Sequence, residues 1–173
     1  MMVEQILELL QRTLNGFLGS KGLGPDPVVI SNIMDHDGRV VLAEEKIALV
    51  VINMVHEQVT AAPANGGVGP NAIHAKPPFD INLFVLFFAN FQGNQYVHGL
   101  TMISETISCF HQTAVFTRVN AADLPPSIDK LALEYTNLSI SELDDVMRML
   151  GVRYLPSVCY KVTTLPFTSA PQS

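Results

Sequence analysis

The sequence has little charge, and that shortage is its most unusual property. Of its 173 residues, 10 are Lys or Arg and 16 are Asp or Glu, so charged residues make up 15% of the chain while hydrophobic residues make up 48%. Soluble domains normally carry about 25% charged residues. We therefore expect part of this protein's surface to be covered by other protein.

The positive charge is also scattered along the chain. No two Lys or Arg residues are adjacent anywhere, and the net charge is -6 at pH 7. Binding to the phosphate backbone of a nucleic acid requires concentrated positive charge. The sequence therefore predicts a protein that binds no nucleic acid.

Cysteine is scarce, since only Cys109 and Cys159 are present and neither belongs to a CxxC motif. Regularly spaced cysteines would indicate a disulfide framework or a metal site. Two isolated cysteines favour buried thiols in a reducing compartment over metal ligands or a redox pair.

Long hydrophobic runs are missing too. The longest, residues 81–91, is interrupted by Asn82 and is about half of the roughly 20 apolar residues that a membrane-spanning helix needs. The N-terminal segment carries Glu4 and Glu8 among its leucines and has no basic region or small-residue cleavage site, so it does not have the pattern of a signal peptide. We expect a protein that does not insert into a membrane and that remains in the cytoplasm.

Helical and strand patterns alternate along the first part of the chain. Residues 3–18 place apolar side chains at every third or fourth position, which predicts an amphipathic helix. The β-branched residues 28–33 predict a strand, residues 35–38 a turn, and residues 39–42 a second short strand.

Two later segments, residues 46–55 and 80–91, are apolar on both alternating faces. This pattern is typical of strands inside a sheet that is covered on both sides. Between them, residues 58–78 are rich in Ala, Pro, Asn and Gly and have almost nothing to bury. They predict a long exposed loop that is mobile in the isolated subunit and either functional or disordered.

The second half predicts two helices and further strands. Residues 94–111 are expected to form a helix and residues 115–117 a short segment after it. The expected buried face of that helix comprises Val97, Leu100, Ile103, Ile107 and Phe110.

Residues 128–135 alternate as in a strand with one wet face, with Leu131, Leu133 and Tyr135 inward and Lys130 and Glu134 outward. A capping box formed by Ser139 and Glu142 begins a short helix that reaches Leu150 and ends at Gly151. Residues 156–164 form the last predicted strand.

Together these patterns predict an α/β fold. We expect one domain over residues 1–166, with a mixed β-sheet of about five or six strands flanked by helices. A short flexible tail is expected over residues 167–173, where the residues are small and polar.

No motif predicts a catalytic, metal or cofactor site. Residues 56–57 begin like a zinc-protease helix, but Thr60 stands where the second histidine should be. Residues 35–38 begin like a calcium-binding loop, but Arg39 and Lys46 replace two oxygen ligands, so a hairpin turn is the better interpretation. The sequence therefore predicts a protein that is not an enzyme and needs no cofactor.

Other polar features have ordinary explanations. The glycine-rich residues 66–69 lack the Lys-Ser/Thr ending of a phosphate-binding loop. Four asparagines interrupt or border apolar segments, and we expect their amides to satisfy backbone groups of loops and edges. They are Asn32, Asn53, Asn82 and Asn90.

Four segments, at residues 28–35, 81–91, 131–139 and 150–162, resemble in this order a known family. The family is the N-terminal domain of the cap, or tail-terminator, proteins of extracellular contractile injection systems. The resemblance covers residues 3–165, and the ending Tyr-Leu-Pro-Ser-Val-x-Tyr-Lys-Val is its most specific part. Longer relatives continue beyond the point where this sequence stops, so no function of such an extension is predicted here.

The resemblance implies a phage tail-terminator-like fold and a structural role. The protein would form a homo-oligomeric ring, expected to be six-fold, that closes the baseplate-distal end of the inner tube and sheath. It would assemble in the bacterial cytoplasm and become part of a particle that is released. Two alternatives remain: a terminator subunit of a contractile phage tail, and a small-molecule-binding or enzymatic domain with a pocket beside residues 58–78.

An assembly surface is predicted at the last strand and in the long loop. The last strand would be a sheet edge that accepts a strand from a neighbour, because it is final in the chain and a flexible tail leaves it accessible. The candidate residues are Val158, Tyr160, Lys161, Val162, Gly66, Gly67 and Asn71.

Overall fold

The computed structural model describes residues 2–39, 41–57 and 80–166. Within them the chain forms three α-helices, one short 3-10 turn at Gly93–Gln95 and six strands. The elements in chain order are α1 (Met2–Ser20), β1 (Val28–Ile30), β2 (Lys46–Glu57), β3 (Asp80–Asn90), α2 (Tyr96–Gln112), β4 (Val115–Thr117), β5 (Ile128–Thr136), α3 (Ile140–Met149) and β6 (Ser157–Pro166).

The six described strands form one mixed sheet in the order β1-β2-β3-β6-β5-β4. The pair β1 and β2 is parallel, and the other four pairs are antiparallel. This confirms the predicted α/β class and a strand count within the expected range.

Both faces of the sheet are covered because the central strands alternate two apolar sets. Ile47 and Leu49 of β2 face a cluster built with α1 and α2, whereas Ala48 and Val50 face a second cluster built with α3 and the segment after β1. All four residues are buried. The sheet is therefore the middle layer of three, as the doubly apolar pattern predicts.

The predicted strand at residues 39–42 is wrong. The described part of this segment has no strand, and the chain there is held by two backbone hydrogen bonds, from Val41 N–H to the Ile33 carbonyl (2.8 Å) and from Asp35 N–H to the Arg39 carbonyl (2.9 Å). The Asp35 carboxylate accepts the N–H groups of Asp37 and Arg39 at 2.9 and 2.8 Å. A turn therefore forms as expected, but the chain bends over the sheet instead of extending it.

The far half of β2 also departs from the prediction. A bulge between Val51 and Asn53 shifts the register against β3, and the side chains of residues 53–56 are exposed. The doubly buried pattern applies to the first half only. A bulge places two residues opposite one, so it turns the side chains that follow to the other face.

The β5 side chains follow the predicted alternation with one exception. Leu131 and Leu133 are buried, but Tyr135 is 48% exposed, although it lies on the same face and its ring contacts that of Tyr160 edge-on at 5.6 Å. The edge strand β4 pairs only with residues 130–132 of β5, so nothing in the described structure shields the end of β5 where Tyr135 stands.

The expectation that the last strand is a sheet edge is wrong. β6 lies between β3 and β5 and pairs with both, so Val162 stands between Leu83 and Leu133. The strand is last in the chain but inserts into the middle of the sheet. The order of the strands along the chain does not determine their order in the sheet, because a helix between two strands can carry the chain past the position of another strand.

The helix α3 begins as the sequence predicts. The Ser139 side chain accepts the Glu142 N–H at 3.2 Å, and the Glu142 carboxylate accepts the Ser139 N–H at 2.8 Å, which completes the capping box. Hydrogen bonding of the Glu142 carboxylate to the backbone N–H of Ser139, and then to the Ser139 side chain, lowers its pKa below the ordinary value of 4.5. After the helix, Gly151 takes a positive φ of 69°, as a C-terminal glycine should.

Candidate assembly surfaces

The titratable groups of the described residues do not converge on a catalytic arrangement. No three His, Cys, Asp or Glu residues in residues 2–39, 41–57 and 80–166 lie where they could hold a metal ion. Burial raises the pKa of both Cys109 and Cys159 to about 11, so both thiols stay protonated at neutral pH. They belong to the two different core clusters, on opposite faces of the sheet.

Three of the four singled-out asparagines satisfy backbone groups, as predicted. Asn90, buried in β3, donates to the carbonyls of Leu42 and Ala43 at 3.2 and 3.1 Å. Asn32 donates to the Met34 carbonyl at 3.0 Å, and the Asn53 side chain accepts the N–H of the next residue at 2.9 Å. These amides therefore organise the backbone.

The predicted assembly residues do not form one surface. Val158, Tyr160 and Val162 are buried in the core, and Lys161 is half-buried on the opposite face of β6. Both edges of their strand are paired within the subunit, so it accepts no further strand. The remaining three candidates, Gly66, Gly67 and Asn71, lie outside the described residues, as does the whole predicted loop at 58–78.

A different surface presents apolar side chains to solvent. We call it the α2 ridge, and its residues follow one another at helical spacing along the outside of α2. Val97 is 71% exposed, and the half-buried Ile103 lies beneath the row. The exposed members of the α2 ridge are Tyr96, Val97, Leu100 and Ile107.

The sequence predicts that this face of α2 is buried, and the prediction is wrong at Val97, Leu100 and Ile107. Phe110 is buried as predicted, and Ile103 is half-buried against the core. The face that packs on the sheet consists instead of Gly99, Met102, Thr106, Cys109 and Phe110. Gly99 allows α2 to lie close to Phe91, since a Cβ placed on residue 99 would be only 3.0 Å from the Phe91 Cβ. The Thr106 hydroxyl donates to the Met102 carbonyl at 2.8 Å, so its burial leaves no polar group unpaired.

A groove continues the α2 ridge toward β5. Its volume is about 330 Å³, and its walls include Ile107, Phe110, Leu133 and Tyr135. Tyr160 forms part of the floor, and burial, followed by the proximity of Tyr135, raises the pKa of its hydroxyl above the ordinary value. The lining of the groove is therefore mostly apolar, with His111 and two tyrosines as its polar members.

A larger groove lies on the opposite face of the sheet, along α3. We call it the α3 groove, and its volume is about 630 Å³. Ile140, which is 91% exposed, and Tyr154 form apolar parts of its wall. Its lining residues are Ile140, Leu143, Asp144, Met147, Arg148, Val152, Arg153 and Tyr154.

The sequence contains a partial signal for the face that α2 buries, but its simplest pattern conceals that signal. The α2 pattern contains two possible buried faces, and hydropathy alone selects the more apolar one. Gly99, Thr106 and Cys109 were the signal for the other face, because small side chains allow a helix to lie close to a sheet. The α3 groove includes Arg153 and Tyr154 from the family-like segment at residues 150–162, so part of that segment is surface and not core.

No helix in the described part of the chain combines the length and apolar character needed to cross a membrane.

Comparison with known proteins supplies the context for these surfaces. The family model described as the Pvc16 N-terminal domain matches residues 3–173. A search of curated proteins gives no match.

Two solved structures are similar in fold. The first is the tube-terminating cap of the anti-feeding prophage, with 14% identity, a TM-score of 0.51, and coverage of 95% of this chain and 55% of that chain. The second is the sheath/tube terminator of the PVC extracellular contractile injection system in its extended state, with 14% identity, a TM-score of 0.50, and coverage of 100% and 59%. The present chain spans somewhat more than half the length of either protein.

Proposed function

Because the chain belongs to the Pvc16 N-terminal domain family, we propose that it is a structural cap, or terminator, of a contractile injection system. The family match over residues 3–173 is the observation that carries this proposal. The likeness in fold to a tube-terminating cap and to a sheath/tube terminator supports it.

In the proposed role, copies of the chain form a ring, six-fold as the family resemblance implies, at the end of the particle distal to the baseplate. The ring contacts the inner tube and the sheath. It assembles in the bacterial cytoplasm and leaves with the particle. Gly66, Gly67, Asn71 and the Lys161 side chain remain proposed contributors to these contacts.

The physical character of the surface supports an assembly role. The chain has 15% charged residues, and a row of apolar side chains on α2 and an apolar groove beside α3 are open to solvent. Monomeric proteins rarely expose such patches, and those that occur usually mark interaction sites. In the proposed role the protein performs no chemistry and requires no cofactor.

Electron microscopy of particles tests the proposal. We expect particles from a strain that lacks this gene to have no density at the baseplate-distal end and to have tubes of uneven length, and we expect the wild-type gene to restore both. A matched control is complementation with Val119→Ser, which changes a side chain that is 97% exposed and lies on neither apolar surface. Particles of normal length with normal end density in the deletion strain would overturn the proposal.

A further inference from the structure

The two exposed apolar surfaces lie on opposite faces of the sheet. The α2 ridge belongs to the helix that covers the face of Leu49 and Phe87, and the α3 groove belongs to the layer that covers the face of Val50 and Phe88. One surface is a convex row of side chains on a helix, and the other is a concave groove of about 630 Å³. The subunit therefore presents two apolar surfaces of different shape in different directions.

Symmetry distinguishes two ways in which these two surfaces could form contacts between copies of the chain. A two-fold dimer uses one patch twice, whereas a ring of more than two copies uses two different patches, one on each neighbour. Two different surfaces on opposite sides of one subunit, one convex and one concave, fit the second arrangement. A contact from ridge to groove repeats from copy to copy and closes into a ring when the rotation per copy divides a full turn.

The charges near the two surfaces favour a second copy as the occupant. With a net charge of -6, two copies repel each other wherever carboxylates face carboxylates. The α2 helix carries one carboxylate, Glu105, and Lys21 lies 3.9 Å from it. In the α3 groove, Arg148 forms ion pairs with Asp144 and, at 3.7 Å, with Asp145. Arg153 is the other charged residue of the groove lining, so two arginines balance two aspartates there, as Lys21 balances Glu105 on α2. Both surfaces are therefore close to neutral.

The residue types at the two surfaces also suit a protein interface. Tyr96 stands on the α2 ridge, and Tyr154 and Arg153 stand at the α3 groove. Tyrosine and arginine are enriched in protein interfaces, and lysine and glutamate are depleted. The α2 ridge and the lining of the α3 groove contain no lysine and no glutamate.

We infer that the α2 ridge of one copy docks into the α3 groove of the next copy. This contact rests on the proposed ring, and it specifies which surfaces of neighbouring subunits meet. It assigns a function to the exposed hydrophobic face of α2 and to Arg153 and Tyr154, which the core does not use.

Chemical cross-linking between single-cysteine variants tests the contact. Val97→Cys and Ile107→Cys report on the ridge, and Ile140→Cys and Tyr154→Cys report on the groove. Each ridge variant is co-expressed with each groove variant on differently tagged full-length chains, and a short bismaleimide is added to the purified protein and to purified particles. The native cysteines are both buried, and wild-type protein treated in the same way controls for their reaction.

We expect cross-linked pairs of differently tagged chains when a ridge variant is combined with a groove variant, and none when two ridge variants are combined. Val119→Cys, on neither surface, is the matched control and should give no pair with either set. Ridge-to-ridge cross-links would indicate a two-fold contact and would overturn the inference. Absence of ridge-to-groove cross-links from both the protein and the particles would also overturn it.

The outcomes separate this inference from the proposed function. Ridge-to-groove cross-links in the purified protein, together with normal particle ends in the deletion strain, would support the contact and reject the cap role. Particles that lose their ends on deletion but give no ridge-to-groove cross-links would support the cap role and reject the contact.

Discussion

At the scale of single residues, Gly99 decides how closely α2 lies on the sheet. A Cβ at this position would be 3.0 Å from the Cβ of Phe91 and 3.2 Å from two of its ring carbons. Phe91 is itself buried, so its Cβ has little room to move. The glycine is therefore a packing requirement within a helix, where alanine would otherwise be preferred.

We predict that Gly99→Ala lowers the free energy of unfolding by about 1–2 kcal/mol, because the cost of overpacking exceeds the gain in helix propensity. Gly16→Ala in α1 is the matched control, since a Cβ there meets nothing within 4 Å. It should raise stability by about 0.5–1 kcal/mol. Urea unfolding followed by circular dichroism measures both changes, and an increase in stability for Gly99→Ala would contradict the packing argument.

The Glu142 carboxylate gives the capping box of α3 a pH dependence. Its pKa in the folded protein is lower than its ordinary value of 4.5, because it accepts hydrogen bonds from Ser139. A carboxyl group whose pKa is lower in the folded state than in the unfolded state stabilises the fold at every pH above its unfolded pKa. This stabilisation is lost as the pH falls through the folded-state pKa.

We therefore predict that Glu142→Gln has a lower urea midpoint than wild type at pH 7 and that the difference disappears at an acid pH below the folded pKa of Glu142. Glutamine retains the shape of the capping box without the charge, so the comparison isolates ionisation. An equal difference at both pH values would show that ionisation of this carboxylate does not stabilise the helix.

At the scale of elements, the central strand β6 and the edge strand β1 differ in whether they can accept a proline. Because β6 is paired on both sides, the Val162 N–H lies in a hydrogen-bonded ladder whichever way it points. Ile30, in the edge strand β1, differs. Pro27 and Ser31 have the opposite phase to Ile30 along the chain, and both bond to β2: the Pro27 carbonyl accepts the Ile47 N–H at 2.8 Å, and the Ser31 N–H donates to the Leu49 carbonyl at 3.3 Å. The Ile30 N–H therefore points away from β2.

We predict that Val162→Pro abolishes stable folding, because it removes a central ladder hydrogen bond and introduces a clash. Ile30→Pro is the matched control and should remain folded with a cooperative urea transition. Soluble yield and circular dichroism distinguish the two results. A folded Val162→Pro variant with a wild-type midpoint would contradict the central position of β6.

At the scale of the whole molecule, low charge and exposed apolar surface belong together. A chain with little charge has few side chains to keep a surface solvated, and here two apolar surfaces remain after both faces of the sheet are covered. The protein is therefore expected to be multimeric in solution.

We predict that the double variant Val97→Glu, Leu100→Glu keeps the wild-type circular dichroism spectrum but loses the multimer, because the new charges lie on an exposed face and oppose burial against a neighbour. Val119→Glu, in the turn after β4, is the matched control and should leave assembly unchanged. Native mass spectrometry and size exclusion measure both. A double variant with the same mass as wild type would exclude the α2 ridge from the interface.

The sequence alone determined the features that depend on local order. Repeating apolar positions in residues 3–18, the doubly apolar β3, and the pair Ser139 and Glu142 each specify an element through interactions a few residues apart. The α/β class and the family resemblance followed from these elements. Neither required knowledge of which strands are neighbours.

The tertiary structure determined the features that interactions between nearby residues do not specify. Whether β6 is an edge or a centre depends on which strands pair across the chain, and its own pattern is the same in both cases. The face that α2 buries depends on how closely Gly99 fits Phe91, which hydropathy does not measure. Assembly surfaces are what remains after the core is filled, so the α2 ridge and the α3 groove became visible only when the partners of every strand and helix were known.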